Sequence, residues 1–120
     1  MSRRSSLFVF VALALTGVAY AGGWATVQLS STPTGIRAGA VWDVRLTILQ
    51  HGVTPLAGVR PAVLIRKGAV SRRFPARPTG KVGVYRARVV FGSAGTWTWK
   101  VDDGFTRVHG YAPVRVAPAR

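Results

Sequence analysis

The sequence predicts an all-β fold, an immunoglobulin-like antiparallel β-sandwich of about seven strands closing over one apolar core. Three observations lead there. Apolar and polar residues alternate with a period of two in short runs. Gly and Pro interrupt the chain roughly every eight to twelve residues, and no window of useful length repeats with the helical period. A small closed barrel satisfies the same pattern and is the structural alternative.

Each strand has its own signal. Trp24 to Ser30 alternates around Ala25, Val27 and Leu29 and stops at the turn-rich Ser31-Thr32-Pro33-Thr34-Gly35. In Val41 to Gln50, Trp42, Val44, Leu46 and Ile48 share one face and Asp43, Arg45 and Thr47 the other, as in a half-buried strand. Pro61 to Lys67 is a third strand. Ala69 to Phe74 is a short edge strand on which Arg72 and Arg73 oppose edge-to-edge pairing. Val84 to Phe91 turns Tyr85, Ala87, Val89 and Phe91 inward and Arg86 and Arg88 outward. Gly92-Ser93-Ala94-Gly95 then leads into Thr96 to Val101, where Trp97, Trp99 and Val101 share a face. Asp102-Asp103-Gly104 reads as a hairpin turn because an Asp-Gly step accepts positive φ. Phe105 to Val108 and Tyr111 to Val116 complete the series, and residues 117–120 are expected to fray.

Ahead of this pattern, Arg3 and Arg4 precede the apolar run Leu7 to Leu15, and Ala19-Tyr20-Ala21 supplies small residues at both cleavage-recognition positions. Residues 1–21 therefore read as a secretory signal peptide, with a mature domain over residues 22–120, periplasmic or extracellular. The run is shorter than the roughly 20 residues that cross a bilayer, so no transmembrane anchor is expected after cleavage. Arg3-Arg4 also admits a twin-arginine route, but Ser5 and Ser6 stand where an apolar residue usually follows the pair.

Composition narrows the function classes. With no Cys anywhere, stability rests on packing. The formal charge is +14, or +12 once Arg3 and Arg4 leave, and Asp43, Asp102 and Asp103 are the only acids. Such a cation is drawn to anionic surfaces, which outside the cytoplasm means anionic envelope polymers or lipid rather than nucleic acid. Arg72, Arg73, Arg86 and Arg88, at edge or outward positions, are the anionic-surface candidates. The competing reading is dispersed solubilising charge.

Catalysis has little to work with. The chain has no Cys nucleophile, no nucleophile-elbow serine, no glutamate and no phosphate-binding loop before a helix, so no enzyme and no cofactor is expected. A metal site would need His51 and His109 to converge with one of the three acids, without any thiolate. His51 is the more notable histidine, because it closes a strand and opens a loop where Gly52 lets the backbone turn sharply. The tryptophans divide by phase. Trp97 and Trp99, like Tyr85 and Phe91, fall on faces that meet across the sandwich, which favours core packing over a sugar or lipid platform, whereas Trp24 is expected to be exposed.

Gly22-Gly23-Trp24-Ala25, then Gln50-His51-Gly52-Val53-Thr54-Pro55-Leu56, and Gly83-Val84-Tyr85 followed by Gly95-Thr96-Trp97-Thr98-Trp99, resemble the YtkA-like group of exported bacterial proteins and, more distantly, FixH-type domains. The resemblance implies a small envelope β-sandwich whose relatives are associated with oxidase assembly and copper handling. The chain departs from FixH proteins, which keep a membrane-spanning anchor. The expected function is a non-enzymatic accessory module that contacts an envelope protein through Trp24, Gln50, His51, Gly52, Val53, Thr54, Pro55 and Leu56. Copper handling through His51 and His109, and electrostatic attachment to anionic envelope polymers, are the alternatives.

Overall fold

The computed structural model describes residues 23–120, so the signal-peptide expectation for residues 1–21 lies outside the described residues. Ten strands follow in order: β1 (Ala25–Leu29), β2 (Val41–Gln50), β3 (Thr54–Pro55), β4 (Ala62–Lys67), β5 (Val70–Pro75), β6 (Arg77–Pro78), β7 (Val84–Val90), β8 (Gly95–Asp102), β9 (Val108–Gly110) and β10 (Val114–Val116). They form two antiparallel sheets, one ordered β1-β2-β7-β6 with β3 also on β2, the other ordered β10-β8-β4-β5 with β9 also on β8. The fold is an all-β sandwich, as expected. The strand number is higher than about seven because β3 and β6 are two-residue ladders containing Pro, too short to show a period. Among the described residues no helix is long and apolar enough to cross a membrane.

The inward faces are the ones the alternation marks. Trp42, Val44, Leu46 and Ile48 of β2 are buried, as are Tyr85, Ala87 and Val89 of β7 with the adjoining Phe91, and Trp97, Trp99 and Val101 of β8. Across the core Trp42 meets Trp99 edge to face at 5.3 Å, and Phe91 meets Trp97 at 5.5 Å. Tyr111 stacks on Trp99 at 4.2 Å between ring centroids. Each buried indole N–H donates to an oxygen: Trp42 to Ser31 Oγ, Trp97 to the Ser93 carbonyl and Trp99 to the Ala112 carbonyl. These rings therefore bury area without stranding a donor, and they form no ligand platform.

The connection between β7 and β8 carries the chain from the first sheet into the second, so their inward faces meet across the sandwich as expected. Two local expectations change. β8 and β9 form the hairpin read at Asp102-Asp103-Gly104, with Gly104 at positive φ, but its loop is longer than that step. β8 runs to Asp102, its pairing with β9 resumes at Val108, and residues 103–107 form the loop between them. The start of the tail is held rather than frayed. Ala117 N–H donates to the Ile36 carbonyl, the Ala117 carbonyl accepts from Ala38 N–H, and Arg37 donates to the Pro118 carbonyl. Those bonds close the connection between β1 and β2 onto the C-terminal strand.

Candidate binding surfaces

The predicted loop is a tight hairpin tip between β2 and β3. Gln50 pairs with both Ala25 and Thr54, and Val53 N–H donates to the Gln50 carbonyl at 3.0 Å. His51 and Gly52 both have positive φ, 52° and 73°. This i to i+3 closure over two left-handed residues suits the twist of antiparallel strands. Gly52 takes that conformation without penalty, whereas His51 takes it at a cost that the fold must offset. Part of the offset is visible: His51 N–H donates to the Trp24 carbonyl at 3.1 Å, and the imidazole lies against the Trp24 indole, centroids 4.9 Å apart.

Beyond the turn, Thr54 and Pro55 are exposed, while Leu56 is half buried against the core. Leu56 N–H donates to the Ile48 carbonyl, and its own carbonyl accepts from the Tyr85 hydroxyl at 2.7 Å. The tip is thus anchored at both ends while presenting apolar surface, with Trp24 47% and Val53 76% exposed.

His109 lies in a different setting. Its Nε2 is 2.8 Å from Asp103 Oδ2, and Asp103 is fully buried. Asp103 Oδ1 accepts from the backbone N–H groups of Phe105, Thr106 and Arg107, which makes this carboxylate the organising centre of the 103–107 loop. Burial alone would raise its pKa. The hydrogen bonds from His109 and the three amides outweigh that effect and hold the carboxyl below its ordinary value. The donors considered for a metal are not gathered together: His51 packs on Trp24, His109 on Asp103, Asp43 on Arg86 and Asp102 on Arg73. Among the described residues no group of three or more His, Cys, Asp or Glu is placed to hold a metal ion.

The four candidate arginines also separate. Arg72 and Arg73 lie on β5, which pairs only with β4. Arg72 is opposite the buried Ile65, an inward-phase charge on an edge strand that discourages further pairing. Arg73 pairs with Asp102 at 3.3 Å. Arg86 and Arg88 are on the outer face of the other sheet, where Arg86 grips both oxygens of Asp43, Nε to Oδ1 at 2.8 Å and NH2 to Oδ2. That hydrogen-bonded guanidinium holds the Asp43 carboxyl below its ordinary range despite a smaller opposing effect of burial, with Arg88 and Arg45 adding to it.

Arg45, which the alternation already places outward, and Arg77 complete this face. Arg45 is in register with Arg86, and Arg86 with Arg77, so three guanidinium side chains stand in one row across β2, β7 and β6. Arg45, Arg77, Arg86 and Arg88 line a groove of about 600 Å³ bordered by Phe74 and Pro78. A second groove of about 530 Å³ shares Arg45 and Thr79 with it and continues to Thr47 and Lys81. Outward phase on a long strand could have flagged Arg45. Arg77 had no signal, because its strand is two residues long. Compared with models of known protein families and with curated proteins, the chain matches neither.

Proposed function

We propose that the chain is a non-enzymatic binding module of the bacterial cell envelope, exported behind residues 1–21 and docking a partner protein through the hairpin tip at residues 51–56 together with Trp24. The observation that carries this reading is the combination of rigidity and exposure at the tip. Val53 and the indole of Trp24 are solvent-facing, yet the backbone beneath them is fixed by the closed turn and by the Tyr85 to Leu56 hydrogen bond. A preorganised surface loses little conformational entropy on binding, and exposed Trp is the residue type that most often anchors protein interfaces. The YtkA-like resemblance of the same segment points in this direction.

The non-enzymatic part rests on the acids. The chain has three, and each is engaged by a cation or an imidazole in the fold, which leaves no carboxylate as a general base. A photo-crosslinking side chain at Val53 tests the docking reading in producing cells, with Val108, also exposed, as the comparison site. A discrete adduct at Val53 that disappears with Trp24→Ala is expected. Equal labelling from both sites, or an adduct indifferent to Trp24→Ala, refutes it.

A further inference from the structure

We propose that the outer face of the first sheet is a binding site for a linear phosphate-bearing polyanion, whose phosphates engage the Arg45, Arg86 and Arg77 row and continue past Thr79 toward Lys81. This site is separate from the hairpin tip and independent of its docking role.

Charge on this face is out of balance. Three arginines, Arg45, Arg86 and Arg77, stand opposite one another across two ladders, where like charges are unfavourable, and a single carboxylate, Asp43 on Arg86, offsets them. Packing does not require arginine at these exposed positions. From its own side chains the chain neutralises only the central arginine, Arg86, through Asp43. Its three acids are all spent: Asp102 on Arg73, Asp103 on His109, and Asp43 with both oxygens on Arg86. Arg45, Arg77 and Lys81 face the two connected grooves with no carboxylate among the described residues hydrogen-bonded to them, and Arg88 shares Asp43 with Arg86 across the ladder. Their counter-anion has to come from outside. A surface that breaks a local rule with only partial internal compensation is where function is expected.

The chemistry of that anion follows from the geometry. A carboxylate has two coplanar oxygens and is satisfied by a single guanidinium fork, as Asp43 is by Arg86. Arg45 and Arg77 flank Arg86 on either side of the row, and a tetrahedral group that offers oxygens in several directions, as phosphate does, accepts from donors that approach it from different sides. Cations spread over three strands and two grooves call for repeated charges rather than one. The two grooves share Arg45 and Thr79, so a linear ligand can run from one into the other. Recognition is of charge on the polymer backbone: Trp42, Tyr85, Trp97 and Trp99 are in the core, and of the residues lining the larger groove only the half-buried Phe74 is aromatic.

Short-chain inorganic polyphosphate is the probe, titrated calorimetrically into the purified protein at several salt concentrations, with polyglutamate and phosphatidylglycerol vesicles as comparators. Arg45→Gln/Arg77→Gln should weaken polyphosphate binding by about tenfold or more. It should also lower the log–log salt slope by about two, roughly one for each phosphate that is no longer neutralised. Arg72→Gln/Arg115→Gln removes the same charge from the other sheet and should change affinity by less than about twofold. The melting temperature of the first variant should stay level or rise, because it relieves like-charge opposition, so a loss of binding is not a loss of fold. Equal weakening by both double variants overturns the site in favour of bulk charge. Polyglutamate binding as tightly as polyphosphate overturns the phosphate assignment, and binding confined to vesicles overturns the single-strand ligand.

Discussion

Replacing Asp103 with alanine removes the acceptor around which the 103–107 loop is built, and the cost can be worked from its hydrogen bonds. Three backbone N–H groups converge on Oδ1 and the His109 imidazole on Oδ2, all around a carboxylate with 0% exposure. A buried donor left without an acceptor costs about 1–3 kcal/mol, and Phe105, 39% exposed, indicates that water recovers part of this at the loop surface. The net expectation for Asp103→Ala is about 3–5 kcal/mol, the range for removing one partner of a buried charged pair. In a domain of this size that lowers the melting temperature by at least about 12 °C. Asp103→Asn keeps a carbonyl oxygen for the amides and should cost about 1–2 kcal/mol.

Tryptophan fluorescence during urea unfolding reads these differences, because the core rings report the transition. The pH dependence gives a second measurement. Since the folded pKa of Asp103 lies below its ordinary value of 3.8, its contribution is present above that value and is lost as pH falls through the depressed native one. Asp103→Asn should therefore reduce the acid dependence of stability, leaving the part due to Asp43, whose carboxyl is also held low. Removing His109 after Asp103 should add less than it costs in the parent, since the two share one interaction. Asp103→Ala within about 0.5 kcal/mol of the parent, the scale of surface substitutions, would refute the reasoning.

Trp99→Ala should destabilise by about 3–5 kcal/mol, because it removes a ring packed on Trp42 and Tyr111 and leaves a large void; urea unfolding measures it. Gly83→Ala should loosen the hairpin tip. Gly83 has φ of 80°, and an added Cβ would lie 2.7 Å from Pro55 Cβ, so faster amide exchange at Leu56 is expected, and unchanged exchange would count against the anchoring described for the tip.

The period-two pattern made most of the sandwich legible because burial on one face of a long strand writes itself directly into the sequence. In β2, β7 and β8 every inward residue read from that pattern is buried. What the pattern could not carry was pairing between distant strands. Arg45 and Arg86 were each readable as outward, but their register depends on how β2 meets β7, and alternation along one strand says nothing about its neighbour. Arg77 enters the row only because a two-residue ladder docks on β7. The Asp-Gly step likewise identified a residue suited to positive φ, found at Gly104, while missing that the preceding carboxylate turns inward to collect the amides of a longer loop. The turn at residues 51 and 52 was readable because His51 and Gly52 are adjacent in sequence, whereas its closure onto the two-residue β3 was not.

The distribution of charge ties these sites together. Of the 17 basic residues, only Arg3 and Arg4 precede the described region, and the three acids are fully occupied within it, so nearly all of the positive charge faces solvent uncompensated. Two surfaces then differ in kind. The tip is apolar and stiff, and binding there depends on area and shape, which salt leaves largely intact. The arginine face depends on exposed charge, and its interactions weaken as the Debye length contracts from about 10 Å at 0.1 M toward 3 Å at 1 M. Ionic strength therefore separates the two without any mutation. A partner that remains bound at high salt is held by the tip, and a ligand that dissociates over the same range is held by the face.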